Sequence, residues 1–183
     1  MNVGIIGKMG SGKTTAASFL VEKHGFVKMG LADPIKNFVI NEIGIKGKED
    51  PLYRILAQEI GTDVVRKHKS KAWINNLCRR AEQETRPIIV DDIRFINEAE
   101  ELSRRAWILV YLKCPYEMRV QRCKARDRHF DESTLNHPSE TEVNLIYSCV
   151  KNYLPPETWI EIDASQDADA VNKAIEKALY DRL

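Results

Sequence analysis

The chain has 183 residues, 43% apolar and 30% charged, and its 28 Lys and Arg against 27 Asp and Glu leave a net charge of +1. That length suits one domain with a sizeable core, and the near-zero charge gives no case for a nucleic-acid or membrane-surface partner, so any anion site must be built by local clustering. No apolar stretch approaches the ~20 residues of a membrane span, and the N-terminus carries no secretory pattern.

In chain order, "NVGII" (Asn2–Ile6) reads as a first strand. It runs into "GKMGSGKTT" (Gly7–Thr15) and a helix through "KTTAASFLVEK". "FVKM" (Phe26–Met29) is a short second strand. Asp33 then reads as the cap of a helix with Pro34 at its first position and Gly44 at its end. Its apolar stripe is Ile35, Phe38, Val39 and Ile43. The same grammar recurs at Asp50, Pro51 and Gly61, with Leu52, Ile55, Leu56 and Ile60 expected inward. A further helix is predicted from Trp73 to Glu84.

"PIIV" (Pro87–Val90) is a continuous apolar run, as a buried parallel strand should be. "AWILVYL" (Ala106–Leu112) and "TWIEI" (Thr158–Ile162) are two more. An amphipathic helix with Val171, Ala174, Ile175, Ala178 and Leu179 on one side closes the chain. Strands alternating with helices predict an α/β fold with a five-stranded parallel sheet in a single domain, 1–183. Asp33–Arg86 is a helical insertion, and Lys124–Glu140 is polar and expected to be irregular. Cys78, Cys114, Cys123 and Cys149 show neither metal-type nor disulfide spacing, which points to reduced thiols in a cytoplasmic protein.

Gly7, Gly12, Lys13 and Thr14 satisfy G-x-x-x-x-G-K-[ST] between a strand and a helix, the context this phosphate-binding motif requires. Glycines let the backbone N–H groups turn inward around a phosphate, and the helix N-terminus adds partial positive charge. Lys13 is expected to reach the β- and γ-phosphates of ATP, and Thr14 to bind Mg²⁺. The whole loop, with Met9, Gly10, Ser11 and Thr15, is expected to hold the nucleotide.

A metal-associated carboxylate is expected at a neighbouring strand end, where Asp91 and Asp92 stand. Arg94 and Phe95 follow, not the glycine of a GTPase, and no N-K-x-D signature is present, so hydrolysis to water is disfavoured. Arg119, Arg122 and Arg126 are spaced i, i+3, i+7 and are expected to share one helix face. With Arg128 they read as a lid that compensates phosphate charge, or as a solvated helix face. No histidine or serine is placed as a general base. A phosphate-monoester acceptor needs none, since its second pKa is ~6.

"LADPIK" (Leu31–Lys36), "QEIGTDVVR" (Gln58–Arg66) followed by Trp73, "DIRFINEAE" (Asp92–Glu100) and "HPSE" (His137–Glu140) occur in this order after the loop. Together they resemble the deoxynucleoside monophosphate kinases of tailed bacteriophages, within the P-loop nucleoside monophosphate kinases. The tail "IEIDASQDADAV" is similar to the end of thymidylate kinases. The resemblance implies a P-loop kinase with a monophosphate-binding helical insertion (33–86) and an arginine-bearing lid (124–140). It implies Mg²⁺-dependent transfer of the ATP γ-phosphoryl group to a deoxynucleoside monophosphate.

By position, Ser11, Gly12, Lys13 and Thr14 would hold ATP and metal. Asp33, Lys36, Arg54, Gln58, Arg66 and Trp73 would line the acceptor side. Asp92 and Arg94 would sit beside the transferring phosphate, with Arg122, Arg126 and Arg128 in the lid. Asp91 departs from the small or apolar residue usual before the D-x-R-F aspartate. Asp92 is favoured for the metal by its register with Arg94.

Some residues keep a plainer reading. Asp33 as a cap, Arg54 and Gln58 as a polar helix face, Trp73 and Phe95 as core aromatics, and Ser139 as a helix cap all stay open. So do a kinase for phosphomevalonate or dephospho-coenzyme A, a nucleotide-dependent switch ATPase, and the oligomeric state, a homodimer included.

Overall fold

The computed structural model describes residues 1–47, 50–127, 130–136 and 138–182. The side chains of residues 51, 54, 62, 136, 138, 139, 150 and 151 also lie outside the description. The chain divides into two compact units. One comprises Met1–Lys28 and Arg86–Leu183; the other is Met29–Thr85.

The first unit is built on β1 (Val3–Ile6), β2 (Val27–Lys28), β3 (Ile88–Val90), β4 (Ile108–Lys113) and β5 (Trp159–Asp163). Among the described residues they form one parallel sheet in the order β2-β3-β1-β4-β5. Every residue of β1 and β3 is buried. That explains their unbroken apolar runs, since a parallel sheet is covered on both faces. Gly4 of β1 pairs with Val90 on one side and Leu109 on the other. A Cβ there would come within 2.5 Å of Ile93 Cδ1, so any larger residue would have to displace the buried Ile93 side chain.

Helix α1 (Lys13–His24) and α8 (Ala168–Tyr180) close one face over Ile5, Leu20, Ile89, Val110, Ile162 and Ile175. Helices α5 (Ile96–Arg104), α6 (Tyr116–Arg126) and α7 (Pro138–Tyr153) complete this unit, and α5 packs on α7. The stretch 124–140, expected to be irregular, is largely helical where it is described. α6 runs to Arg126, a 3₁₀ turn covers Glu132–Asn136, and α7 starts at Pro138. Asp131 starts the 3₁₀ turn by accepting from Ser133 N and Oγ. Local side-chain bonds of this kind favour turns and leave no apolar signature.

The second unit holds α2 (Asp33–Asn37), α3 (Pro51–Gln58) and α4 (Ala72–Ala81) around Ile35, Val39 and Tyr53. Asp50 caps α3 as expected, accepting from Leu52 N at 2.9 Å. Asp33 does not cap α2, because Ala32 holds that position and the Asp33 carboxylate accepts from Gly30 N. Gly61 does not end its helix either. The chain continues through a π-helical stretch, Glu59–Arg66, and a second π turn covers Phe38–Glu42.

Gly61 instead lets Ile35 close in, since a Cβ would meet Ile35 Cδ1 at 2.7 Å. Leu52 and Ile55, expected inward, are 53% and 51% exposed. The buried stripe is Tyr53, Leu56, Ala57 and Ile60. Tyr53 starts it, so the helix is rotated by one residue from the expected phase. Phe38 and Ile43 are also exposed. The π turn changes the helical repeat after Asn37, so α-spacing misplaces them.

Candidate active site

The phosphate loop leaves the buried end of β1 and enters α1. Gly10 and Gly12 have φ of +81° and +95°, which side chains rarely tolerate. A Cβ on Gly10 would meet the Arg119 carbonyl at 2.7 Å, and one on Gly7 would meet Ser11 Oγ at 2.5 Å. Each of these three glycines therefore answers to a close approach or a left-handed turn. Ser11 N donates to Lys8 O at 3.1 Å and closes the turn.

Lys13 lies folded across the loop. Its Nζ donates to the carbonyls of Gly7 at 2.6 Å and Lys8 at 3.0 Å. Burial, followed by the nearby Arg94 guanidinium, pushes its pKa down to about 8, against the pull of Glu140 and Asp91. Burial also lowers Lys8, with Arg119 adding to the effect. Ser11 is 1% exposed, and its hydroxyl has no hydrogen-bond partner among the described residues. A half-buried ammonium, an orphaned hydroxyl and a cradle that a Cβ would fill match the oxygens of a polyphosphate.

Two arginines flank this loop. Arg119 is buried, with Nη1 3.3 Å from the Met9 carbonyl and its guanidinium 5.4 Å from the centre of the Tyr116 ring. Arg94 follows β3 on a turn held by Glu98. The Glu98 carboxylate is buried and accepts from Arg94 N at 2.8 Å and Phe95 N at 3.0 Å. Glu140 stands with them, accepting from Met9 N at 2.9 Å. Asp91 is paired with Lys28 at 2.7 Å, and its charge also acts on Lys13. Asp92 is half-buried beside it.

The arginines expected to share one face of α6 leave the helix on one side but reach different partners. Arg119 turns to Met9, whereas Arg122 donates to the carbonyls of Ala164 at 2.9 Å and Gln166 at 2.6 Å. Arg126 is exposed at the helix end, and Arg128 and His137 lie outside the described residues. Residues three apart diverge by ~60° around a helix, enough to send two long side chains to different partners. Arg122 and the first two turns of α8 wall a cleft of about 210 Å³ against Ser11, Gly12 and Thr15. Asn172, 8% exposed, lines the same cleft. Asp167 caps α8 by accepting from Ala170 N.

In the Met29–Thr85 unit, Lys36 pairs with Asp33 at 3.1 Å. Arg80, which the sequence did not single out, donates to Gly30 O at 2.6 Å and lies 3.6 Å from Asp33. Its Nε donates to Asn76. Trp73 packs on the Ile35 cluster and donates to Gly61 O at 2.9 Å, so here it serves the fold. Gln58 is exposed and Arg66 half-buried, while the side chains of Arg54 and Ser139 lie outside the described residues.

A parallel sheet whose first strand feeds a glycine-lined loop with an inward lysine defines the P-loop nucleotide-binding class. Residues 3–144 match the AAA domain family, and the chain belongs to it. That family is broader than the bacteriophage enzymes the sequence resembles. A protein of Acanthamoeba polyphaga mimivirus, provisionally named a deoxynucleotide monophosphate kinase, is 28% identical over 177 residues. The match covers 80% of this chain and 83% of the mimivirus protein. A gluconokinase from Sinorhizobium meliloti 1021 shares the fold with a TM-score of 0.62, over 98% of this chain and 91% of its own, at 15% identity. At that identity the likeness concerns the fold alone. No described helix is long and apolar enough to cross a membrane.

Proposed function

We propose that this protein transfers the γ-phosphoryl group of ATP to a deoxynucleoside monophosphate, releasing ADP and the deoxynucleoside diphosphate. The observation that carries the transfer is the gathering of Lys13, Arg94 and Arg119 at one glycine-lined loop. Charge of that density stabilises a phosphoryl group in flight, which needs positioning and electrostatics more than covalent help. Support for the acceptor comes from the motif order and from the name of the mimivirus relative.

In this reading the loop from Gly7 to Thr15 holds the polyphosphate, and the cleft beside Arg122 takes the donor nucleoside. Thr14 and Asp92 would hold Mg²⁺, which neutralises phosphate charge when bound. The Met29–Thr85 unit binds the acceptor through Asp33, Lys36, Arg54, Gln58 and Arg66, with Arg80 setting the Asp33 carboxylate. Residues 124–140 act as the lid. An acceptor phosphate oxygen attacks the γ-phosphorus, and the bond to the bridging oxygen breaks. ADP leaves with the electron pair, and the dianionic acceptor gives up no proton.

The test is ADP release with ATP and Mg²⁺ across a panel of deoxynucleoside and ribonucleoside monophosphates, phosphomevalonate and dephospho-coenzyme A. Turnover with a deoxynucleotide is expected. Transfer to phosphomevalonate with none to any deoxynucleotide would overturn the acceptor, and acceptor-independent hydrolysis would overturn the transfer.

A further inference from the structure

Glu140 of α7 is only 4% exposed. A carboxylate so deeply placed is unfavourable unless paired and hydrogen-bonded. Its Oε2 accepts from Met9 N at 2.9 Å, and Arg119 Nη1 approaches the same oxygen at 3.9 Å. Arg94 Nη1 lies 3.7 Å from Oε1. Arg119 also donates to the Met9 carbonyl at 3.3 Å. The Met9 N–H and C=O are therefore both held, one by Glu140 and the other by a cation that faces Glu140. Met9 sits inside the Lys8–Ser11 turn, so the course of the loop backbone is tied to α7 through one side chain.

We propose that Glu140 is a positioning residue of the transfer site, fastening the phosphate loop to α7 and holding Arg94 and Arg119 toward the loop. The assignment rests on reading that loop as the donor site. The physical need is mutual repulsion. Lys8, Lys13, Arg94 and Arg119 crowd one place, and the arginines disfavour charge on the lysines while Glu140 favours it. A fixed anion keeps such a cluster assembled before a polyphosphate arrives.

Glu140→Gln and Glu140→Ala separate this role from simple packing. Glutamine keeps a carbonyl oxygen for the Met9 N–H but loses the charge that fixes the arginines. It should fold, bind ADP with Mg²⁺ within about threefold of wild type, and lose about tenfold or more in kcat with little change in donor KM. Alanine also frees the loop, so its ADP affinity should fall about tenfold, the worth of one charge-assisted hydrogen bond. Arg94→Ala should cost less in the Glu140→Gln background than in wild type, since the two side chains act together.

Wild-type kcat in Glu140→Gln with wild-type ADP affinity in Glu140→Ala would overturn the assignment. So would loss of fold in Glu140→Gln, which would make Glu140 a residue of stability. ADP affinity is measured by calorimetry without acceptor. It therefore still tests the tether if the acceptor is not a deoxynucleotide, whereas failure of wild type to bind ADP would sink the reading of the loop itself.

Discussion

Lys13 titrates in a range where its charge is sensitive to its surroundings. With a pKa near 8, against 10.5 for a free lysine, its ammonium is disfavoured by the fold. The unfolded chain therefore binds more protons between these two values, and stability rises with pH across that window. Lys13→Met should melt at a higher temperature than wild type at pH 7, and the gap should shrink from pH 8 to 10.5. The same variant should lose about 10² to 10³ in turnover, since the cation proposed to meet the transferring group is gone. Melting curves and ADP release at matched pH check both. A Lys13→Met melting below wild type at pH 7 would contradict the assigned desolvation.

The two aspartates after β3 divide differently. Asp91 is already paired with Lys28. Because its register with Arg94 favours Asp92 for the metal, Asp92→Asn should impair turnover and its Mg²⁺ dependence more than Asp91→Asn does, in parallel metal titrations. The reverse order would give the metal to Asp91, whose charge also reaches Lys13.

Helices α6 and α8 meet at the cleft proposed for the donor through one guanidinium. Arg122 makes two hydrogen bonds to the β5–α8 connection in the planar fork that arginine offers and lysine does not. Arg122→Lys should raise the donor KM about five- to tenfold, more than it lowers kcat. A donor titration at saturating acceptor reads this directly, and an unchanged KM would remove Arg122 from the donor site. The same element shows why spacing alone misled. Arg119, Arg122 and Arg126 repeat regularly along the sequence, yet their partners lie on the phosphate loop and after β5. Helical periodicity reports which side a residue leaves from. It does not report how far a long side chain reaches or what it meets. The Asp33 and Gly61 punctuation failed for a related reason: Asp33 accepts from Gly30 N three residues before it, and Gly61 makes room for Ile35.

Across the molecule, the parts legible from sequence are those written in neighbouring residues. The glycine loop is contiguous, and each buried strand is a short apolar run. The anion at the site was not legible in the same way. Met9 and Glu140 meet across 131 positions, and no spacing rule connects them. Arg80 likewise finds Gly30 from 50 positions away. The division into two units gives a prediction at this scale. Arg80→Ala, which removes one of the two cations beside Asp33, should raise the acceptor KM while leaving ADP affinity as in wild type. Calorimetry with ADP and a titration of acceptor check the separation, and a parallel loss of ADP affinity would break it.

The carbonyls that hold Lys13 give nucleotide binding the character of an exchange. The ammonium has three N–H donors, and Gly7 O and Lys8 O take two of them, so turning more than one toward phosphate oxygens means giving up a carbonyl. Hydrogen bonds to neutral carbonyls are then traded for charge-assisted ones to phosphate. The trade should also set a pace: completing the complex takes a local rearrangement after collision, so association is expected below the rate that electrostatic steering would allow.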